Sequence, residues 1–144
     1  MKLQIAVPAP AMAVAFATLV AGAAQAQPAS VDNVVAVAKP VHYTGPCPGV
    51  IQFVGTIFSA SPATVSYRWE RSDGVTSEPR TVFVSGGSKT VETTWRLGTP
   101  TKVVRGSQRL RVLSPGDTYS TEASFAVACG AAANHVPWGL RPGD

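Results

Sequence analysis

The sequence contains few of the residues that enzymes use for acid–base, nucleophilic or metal chemistry. Its 144 residues include two histidines, His42 and His135, and two cysteines. Neither histidine has the context of a hydrolase triad, and the G-x-S-x-G motif is absent. A zinc site would need four ligands at a recognised spacing, which these residues do not show. We therefore expect a non-catalytic protein that uses no metal and no cofactor.

Charge is also scarce, and this limits the classes of partner. Twelve Lys and Arg residues against eight Asp and Glu residues give a net charge of +4, which is too small an excess to indicate nucleic acid. Glu70 and Glu92 could in principle pair as glycosidase acids, but both fall at outward positions of predicted strands, where solvated carboxylates are common. No helical repeat of apolar residues occurs after the N-terminal stretch, which argues against an α-helical domain.

The N-terminal stretch has the pattern of a secretory signal peptide. One lysine precedes an uncharged run rich in alanine and valine, and the run contains Ala24-Gln25-Ala26, a small-x-small cleavage site. The alternative is an uncleaved membrane anchor, since residues 5–24 are long enough to span a bilayer, although two early prolines argue against it. We predict a signal peptide over residues 1–26, secretion to the periplasm or the extracellular space, and no membrane span after cleavage.

The clearest strand pattern lies at residues 65–74, V-S-Y-R-W-E-R-S-D-G. Large apolar side chains alternate there with polar ones, as a strand with one buried face requires. Asp73-Gly74 then supplies turn chemistry. We interpret this stretch as the central strand of a β-sandwich, with Trp69 as the largest side chain of the core.

Six further strand signals are separated by turn residues, and this spacing is typical of a β-sandwich or a β-barrel. The seven predicted strands are 31–38, 50–58, 65–71, 80–85, 89–97, 107–113 and 118–129. Residues 41–44 could resume the first strand after Pro40, and residues 98–106 are predicted to be a connection. Gly55 is predicted to leave room for Trp69 or Trp95. Residues 131–144 lack periodicity and are predicted to be a flexible tail, so that the domain covers residues 27–130.

Several motifs resemble small immunoglobulin-like domains of secreted bacterial proteins. They are Y-T-G-P-C-P from Tyr43, Y-R-W-E-R-S-D-G from Tyr67, T-T-W from Thr93, L-R-V-L-S-P from Leu110 and A-S-F-A-V-A-C from Ala123. The resemblance implies an all-β, seven-strand antiparallel immunoglobulin-like sandwich. These domains have no common activity, so the resemblance implies no function.

The two cysteines are predicted to form a disulfide. An even number of cysteines in an exported protein favours a disulfide over free thiols or a metal site. Cys47 precedes the second strand and Cys129 ends the seventh. In an antiparallel sandwich these positions lie at the same end, where the longer connections also gather.

Two surfaces are candidate binding sites. The first is the disulfide end, where the basic and aromatic residues Lys102, Arg105, Trp138 and Arg141 could bind an acidic glycan or an anionic protein surface. The second is a strand face with Arg68, Arg109 and Arg111, although Glu70 on the same face could simply pair with these arginines. We expect a monomeric binding or adhesion module, with a cell-surface protein or glycan as its partner.

The alternative function is inhibition of a secreted protease or glycosidase. In that hypothesis the disulfide clamps the domain, and the loop at residues 72–80 enters the cleft of the target enzyme. Binding assays and enzyme titrations distinguish the two hypotheses.

Overall fold

The structure is a computed structural model that describes residues 2–6, 8–10 and 22–130. These residues form strands and connections, with no helix among them; in particular, this part of the chain holds no helix that could cross a membrane. The strands are β1 (Asn33–Lys39), β2 (His42–Tyr43), β3 (Gly49–Ser59), β4 (Ala63–Arg71), β5 (Arg80–Val84), β6 (Gly87–Leu97), β7 (Val103–Ser114), β8 (Thr118–Tyr119) and β9 (Ala123–Ala128).

The strands form two sheets that enclose one core. One sheet has the order β1-β3-β6, and the other has the order β2-β9-β7-β4-β5, with β8 also paired to β7. Of the seven long strands, the first, second and fifth share one sheet, and the third, fourth, sixth and seventh share the other. This division follows immunoglobulin-like domains, with the fourth strand paired to the third. The predicted all-β sandwich with an immunoglobulin-like arrangement is confirmed at this level.

The predicted count of seven strands and their wholly antiparallel arrangement are wrong. Nine strands occur in the described residues, because the two-residue strands β2 and β8 add to the seven long ones. Pro40 has no N–H group to donate, so β1 ends at Lys39 and the chain crosses to the other sheet as β2. There β2 lies parallel to β9, with His42 opposite Ala126.

The last predicted strand, 118–129, is interrupted. Both β8 and β9 pair with β7, and Ser120 between them exchanges two hydrogen bonds of 2.9 Å with the backbone of Leu110. After Ser120 the chain carries one residue more than β7 before pairing resumes with Ala123 opposite Gln108. This extra residue is a β-bulge, which hydrophobic periodicity alone does not reveal.

The connection predicted at 98–106 is shorter than expected. The backbone N–H of Lys102 donates to the carbonyl of Thr99 at 3.4 Å, which closes a turn. β7 then begins at Val103, where its first residues pair with the end of β9. Arg105 therefore lies within a strand and not in a connection.

The core lies between the sheets and is centred on Trp69, as predicted. Trp69 is 3% exposed, and its ring centroid lies 6.3 Å from that of Phe53. A Cβ atom on Gly55 would lie 2.7 Å from Leu110 Cδ2 and 3.0 Å from Trp69 Cη2. Gly55 thus leaves the space predicted for it, and Trp69 occupies that space.

The disulfide between Cys47 and Cys129 is present, with the Cα atoms 5.4 Å apart, a separation within the usual range for disulfides. The pairs Gly49–Leu97 and Val103–Ala128 close the two sheets at this end of the sandwich. The predicted shared position of the two cysteines is therefore confirmed.

Candidate functional site

Four charged side chains meet on the outward side of the strands β9, β7 and β4, which we call the outer sheet face. Because side chains alternate between the two faces of a strand, Arg68 and Glu70 of β4 project to the same side as Arg109 and Arg111 of β7. The register places Arg68 opposite Arg111 and Glu70 opposite Arg109. Like charges directly opposite one another are destabilising, so the Arg68–Arg111 pair requires a nearby carboxylate.

Glu70 is that carboxylate, and it binds all three arginines. Arg68 donates to Glu70 Oε1 from Nε at 3.0 Å and from Nη2 at 2.8 Å. Arg109 donates to Oε2 at 3.2 and 2.9 Å, and Arg111 Nη1 donates to Oε1 at 3.2 Å. The side chain of Glu70 is only 12% exposed. We call this group, Arg68, Arg109 and Arg111 around Glu70, the arginine cluster.

Two residues that the sequence reasoning missed extend the cluster. Asp117 accepts a bidentate pair of hydrogen bonds from Arg111, at 2.9 and 2.7 Å. The ring of Tyr119 lies beneath the guanidinium groups of Arg109 and Arg111, at 4.2 and 4.9 Å from the ring centroid, which is within the range of a cation–π interaction. The sequence feature that could have indicated them is the Pro-Gly turn before Asp117 and Tyr119, which leads the chain back alongside the arginine-bearing strand.

The charges of this group do not cancel. Three guanidinium groups face two carboxylates, Glu70 and Asp117, which leaves one positive charge. Burial raises the pKa of Glu70, but the hydrogen bonds from the three arginines outweigh that effect and hold the pKa below its ordinary value. The hydrogen bond from Arg111 likewise lowers the pKa of Asp117. The cluster therefore stays ionised at neutral pH.

The lowered pKa of Glu70 predicts a loss of stability in acid. A group whose pKa is lower in the folded state stabilises the fold above its unfolded pKa and loses that contribution as pH falls through the folded value. We expect the free energy of unfolding to fall as pH drops below the ordinary Glu value of 4.5. Glu70→Gln should lower stability near pH 7 by about 1–3 kcal/mol and flatten this pH dependence.

Urea denaturation across this pH range checks the prediction, with Glu78→Gln as the control. Glu78 is exposed and makes no ion pair among the described residues. A remaining slope in Glu70→Gln is expected, because the pKa values of Asp73 and Asp117 are lowered too. Equal pH profiles for Glu70→Gln and the wild type would contradict the role of Glu70.

The structure describes two of the four residues predicted at the disulfide end. Lys102 is exposed in the turn before β7, beside a depression that Cys129 also lines. Arg105 is exposed on β7, two rows before Arg109 on the same outer sheet face. Trp138 and Arg141 lie outside the described residues, so the predicted grouping of all four stays a prediction.

The loop at residues 72–80 folds back against β4. The N–H of Arg71 donates to the carbonyl of Val75 at 2.9 Å, and the N–H of Ser77 donates to the carbonyl of Trp69 at 2.9 Å. Asp73 forms an ion pair with Arg71, whose guanidinium stacks 3.8 Å from the ring centroid of Trp95. These contacts hold the loop along the sheet.

An open depression lies beside Arg105, where short side chains of the central strands face outward. Its volume is about 460 Å³. It is lined by Val41, His42, Ser72, Arg105, Gly106, Ser107, Ser124, Phe125 and Ala126. Within the ranges that the structure covers, no group of three or more His, Cys, Asp or Glu side chains could hold a metal ion.

Comparisons with known proteins give only distant structural likenesses. No family model and no curated protein matches the sequence. Similar solved structures include a CARDB domain from Pyrococcus furiosus in complex with di-metal ions, with 15% identity, a TM-score of 0.47, and coverage of 70% of this chain and 88% of that one. The alkylpurine DNA glycosylase AlkC of Pseudomonas fluorescens, bound to DNA containing an abasic site analog, has 12% identity and a TM-score of 0.48, with coverage of 66% of this chain and 30% of that enzyme.

A third structure, the ApaA protein of Bordetella pertussis, has 16% identity and a TM-score of 0.33, with coverage of 71% of this chain and 95% of that one. This chain thus spans less than a third of the glycosylase, and most of the other two proteins. The immunoglobulin-like assignment rests on the strand order of the chain itself.

Proposed function

We propose that this protein is a secreted, monomeric, non-catalytic binding module that recognises an anionic glycan or protein surface through its outer sheet face. The observation that carries the proposal is the arginine cluster, in which one carboxylate fixes three guanidinium groups on a rigid sheet. Guanidinium groups bind carboxylate, sulfate and phosphate oxygens in bidentate geometry. The unbalanced positive charge favours an anionic ligand.

The fixed geometry of the cluster supports a binding role in addition to a stabilising one. Ordering a free arginine side chain on binding costs about 0.5–1.5 kcal/mol. Glu70 and Tyr119 already hold these side chains in place, so that much of this cost is avoided when a ligand arrives. Arg109 is the most open member, with 40% of its side chain exposed.

Secretion is part of the proposal. The disulfide supports it, because such bonds persist in oxidising compartments. The predicted signal peptide at residues 1–26 supports it from the sequence, although half of that segment lies outside the described residues. In the periplasm or the extracellular space, the outer sheet face would have access to glycans and surface proteins.

The test measures retention on cell-surface material and on arrays of acidic glycans and proteins. Arg68→Ala/Arg111→Ala should weaken binding by about tenfold or more, because charge-assisted hydrogen bonds are lost. The control Lys39→Ala/Arg96→Ala removes the same charge from exposed positions on the other sheet and should leave binding unchanged. Near-UV circular dichroism verifies that both variants fold.

Two outcomes would move the site or the function elsewhere. If Lys102→Ala, or truncation after Gly130, abolishes binding while Arg68→Ala/Arg111→Ala does not, the ligand binds at the disulfide end. If the protein binds no surface but inhibits a protease or glycosidase, the loop at residues 72–80 is the functional element.

A further inference from the structure

The depression beside Arg105 continues along β7 into the arginine cluster. A second depression of about 150 Å³ is lined by Glu70, Arg71, Ser72, Ser107, Arg109 and Glu122. Ser72 and Ser107 line both depressions. Together they form one surface channel, which we call the trough, with Arg105 at one end and Arg109 at the other. These arginines are four positions apart on β7, which corresponds to about 13 Å.

The trough exists because small side chains face outward on the two central strands. Ser107 lies opposite Ser124, and Arg105 lies opposite Ala126. Short side chains in adjacent rows leave space above this part of the sheet, and Val41 and His42 of the edge segment also line that space. The trough therefore depends on the register between β7 and β9.

We propose that the trough binds an anionic oligosaccharide whose charged groups reach Arg105 and Arg109, with a short stretch of sugar lying over the serines between them. This inference rests on the proposed function and names its ligand class. Arg105 is exposed and makes no ion pair among the described residues. Its guanidinium group is therefore available to a carboxylate or a sulfate.

The lining of the trough suits a sugar better than a peptide. Ser124 offers an exposed hydroxyl group, and Val41, which is 51% exposed, offers an apolar surface for the C–H face of a sugar ring. The exposed Ser72 accepts from the N–H of Ser107 at 3.0 Å and keeps its O–H to donate, whereas the buried hydroxyl of Ser107 donates to Glu122 at 3.2 Å and forms part of the floor. A peptide that binds by strand addition needs free main-chain groups along an edge. The backbone beneath the trough floor is already paired between β7 and β9, so the floor offers no such edge.

Calorimetric titration with defined probes tests the proposal. The probes are a tetramer of galacturonic acid, a sulfated tetrasaccharide, a neutral tetramer of galactose and a hexaglutamate peptide. We expect one or both anionic sugars to bind, and the neutral sugar and the peptide to bind at least about tenfold more weakly. The two anionic sugars show whether carboxylate or sulfate is preferred.

Three single variants locate the site. Arg105→Gln should raise the Kd of the anionic sugar by about tenfold or more, through loss of charge-assisted hydrogen bonds. Lys102→Gln removes the same charge three residues away, outside the trough, and should change the Kd by less than about threefold, as expected for an exposed charge. Ser124→Tyr fills the trough without changing the charge and should also raise the Kd by about tenfold. Ser124 is exposed, so the fold should tolerate the larger side chain.

The results that would overturn the trough as the binding site differ from those that would overturn the proposed function. Equal losses from Arg105→Gln and Lys102→Gln, or full binding by Ser124→Tyr, would overturn the trough as the site. Tighter binding of hexaglutamate than of either anionic sugar would overturn the glycan assignment. Retention on cell-surface material that needs Arg68 and Arg111 but is unaffected by Ser124→Tyr would leave the proposed function intact without the trough.

Discussion

Replacing Trp69 with alanine is expected to unfold the domain or to leave it barely stable. The side chain is 3% exposed and fills the space above Gly55, between Phe53 and Leu110. Truncating a buried aromatic side chain costs about 3–5 kcal/mol, against a total stability of about 5–15 kcal/mol for a small domain. The cavity cannot close easily, because β7 pairs with β4 on one side of Trp69 and Ser77 hydrogen-bonds the N–H and the carbonyl of Trp69 on the other, which fixes the backbone around it.

Urea denaturation followed by near-UV circular dichroism measures the effect. The matched control is Phe83→Ala, because Phe83 is also an aromatic strand residue but is 59% exposed. That control should change stability by no more than about 0.5 kcal/mol. Trp69→Phe should be milder than Trp69→Ala, since Trp69 Nε1 has no hydrogen-bond partner in the structure to lose. Similar midpoints for Trp69→Ala and Phe83→Ala would show that β4 is not central to the core.

The long strands and the core could be predicted because alternation is a local property. In residues 65–71 each large apolar side chain is followed by a polar one, and the structure buries Val65, Tyr67 and Trp69. The same alternation placed Arg68 and Glu70 together on the outward side. The position of both cysteines at one end of the sandwich could also be predicted, because it depends only on the order and direction of the strands.

Features that depend on register between distant strands could not be predicted in the same way. The bulge after Ser120 reflects hydrogen bonds to Leu110, ten residues earlier in the chain. The trough requires Ser107 to lie opposite Ser124, and a shift of one residue would turn those side chains to the other face. The role of Asp117 depends on a turn that brings it back to Arg111. None of these relations leaves a periodic pattern in the sequence.

The second large effect is expected from removing the disulfide. Cys47 and Cys129 are 82 residues apart in sequence, so the bond restricts a large loop of the unfolded chain. The chain-entropy relation gives roughly 4–5 kcal/mol for a loop of this length, and native disulfides in small secreted domains typically contribute about 2–5 kcal/mol. Cys47→Ser/Cys129→Ser should therefore lower the Tm by at least about 10 °C.

The folded state adds a local reason for this loss. Gly98 packs directly against the bond: its φ is +109°, and a Cβ atom there would lie 2.9 Å from Cys129 Sγ and 3.0 Å from Cys47 Sγ. The bond thus joins the start of β3, the end of β9 and the turn after β6 into one contact at the end of the sandwich. Replacing both sulfur atoms with smaller hydroxyl groups loosens this contact as well as releasing the loop.

Thermal unfolding with and without a reductant measures the contribution of the bond and supplies its own control. The wild type should lose stability when reduced, whereas the double serine variant should give the same Tm under both conditions. Thiol labelling of the unfolded, unreduced protein should find no free cysteine. A double serine variant that melts at the wild-type temperature would show that sheet pairing alone holds this end together, and that the β7–β9 register does not need the covalent link.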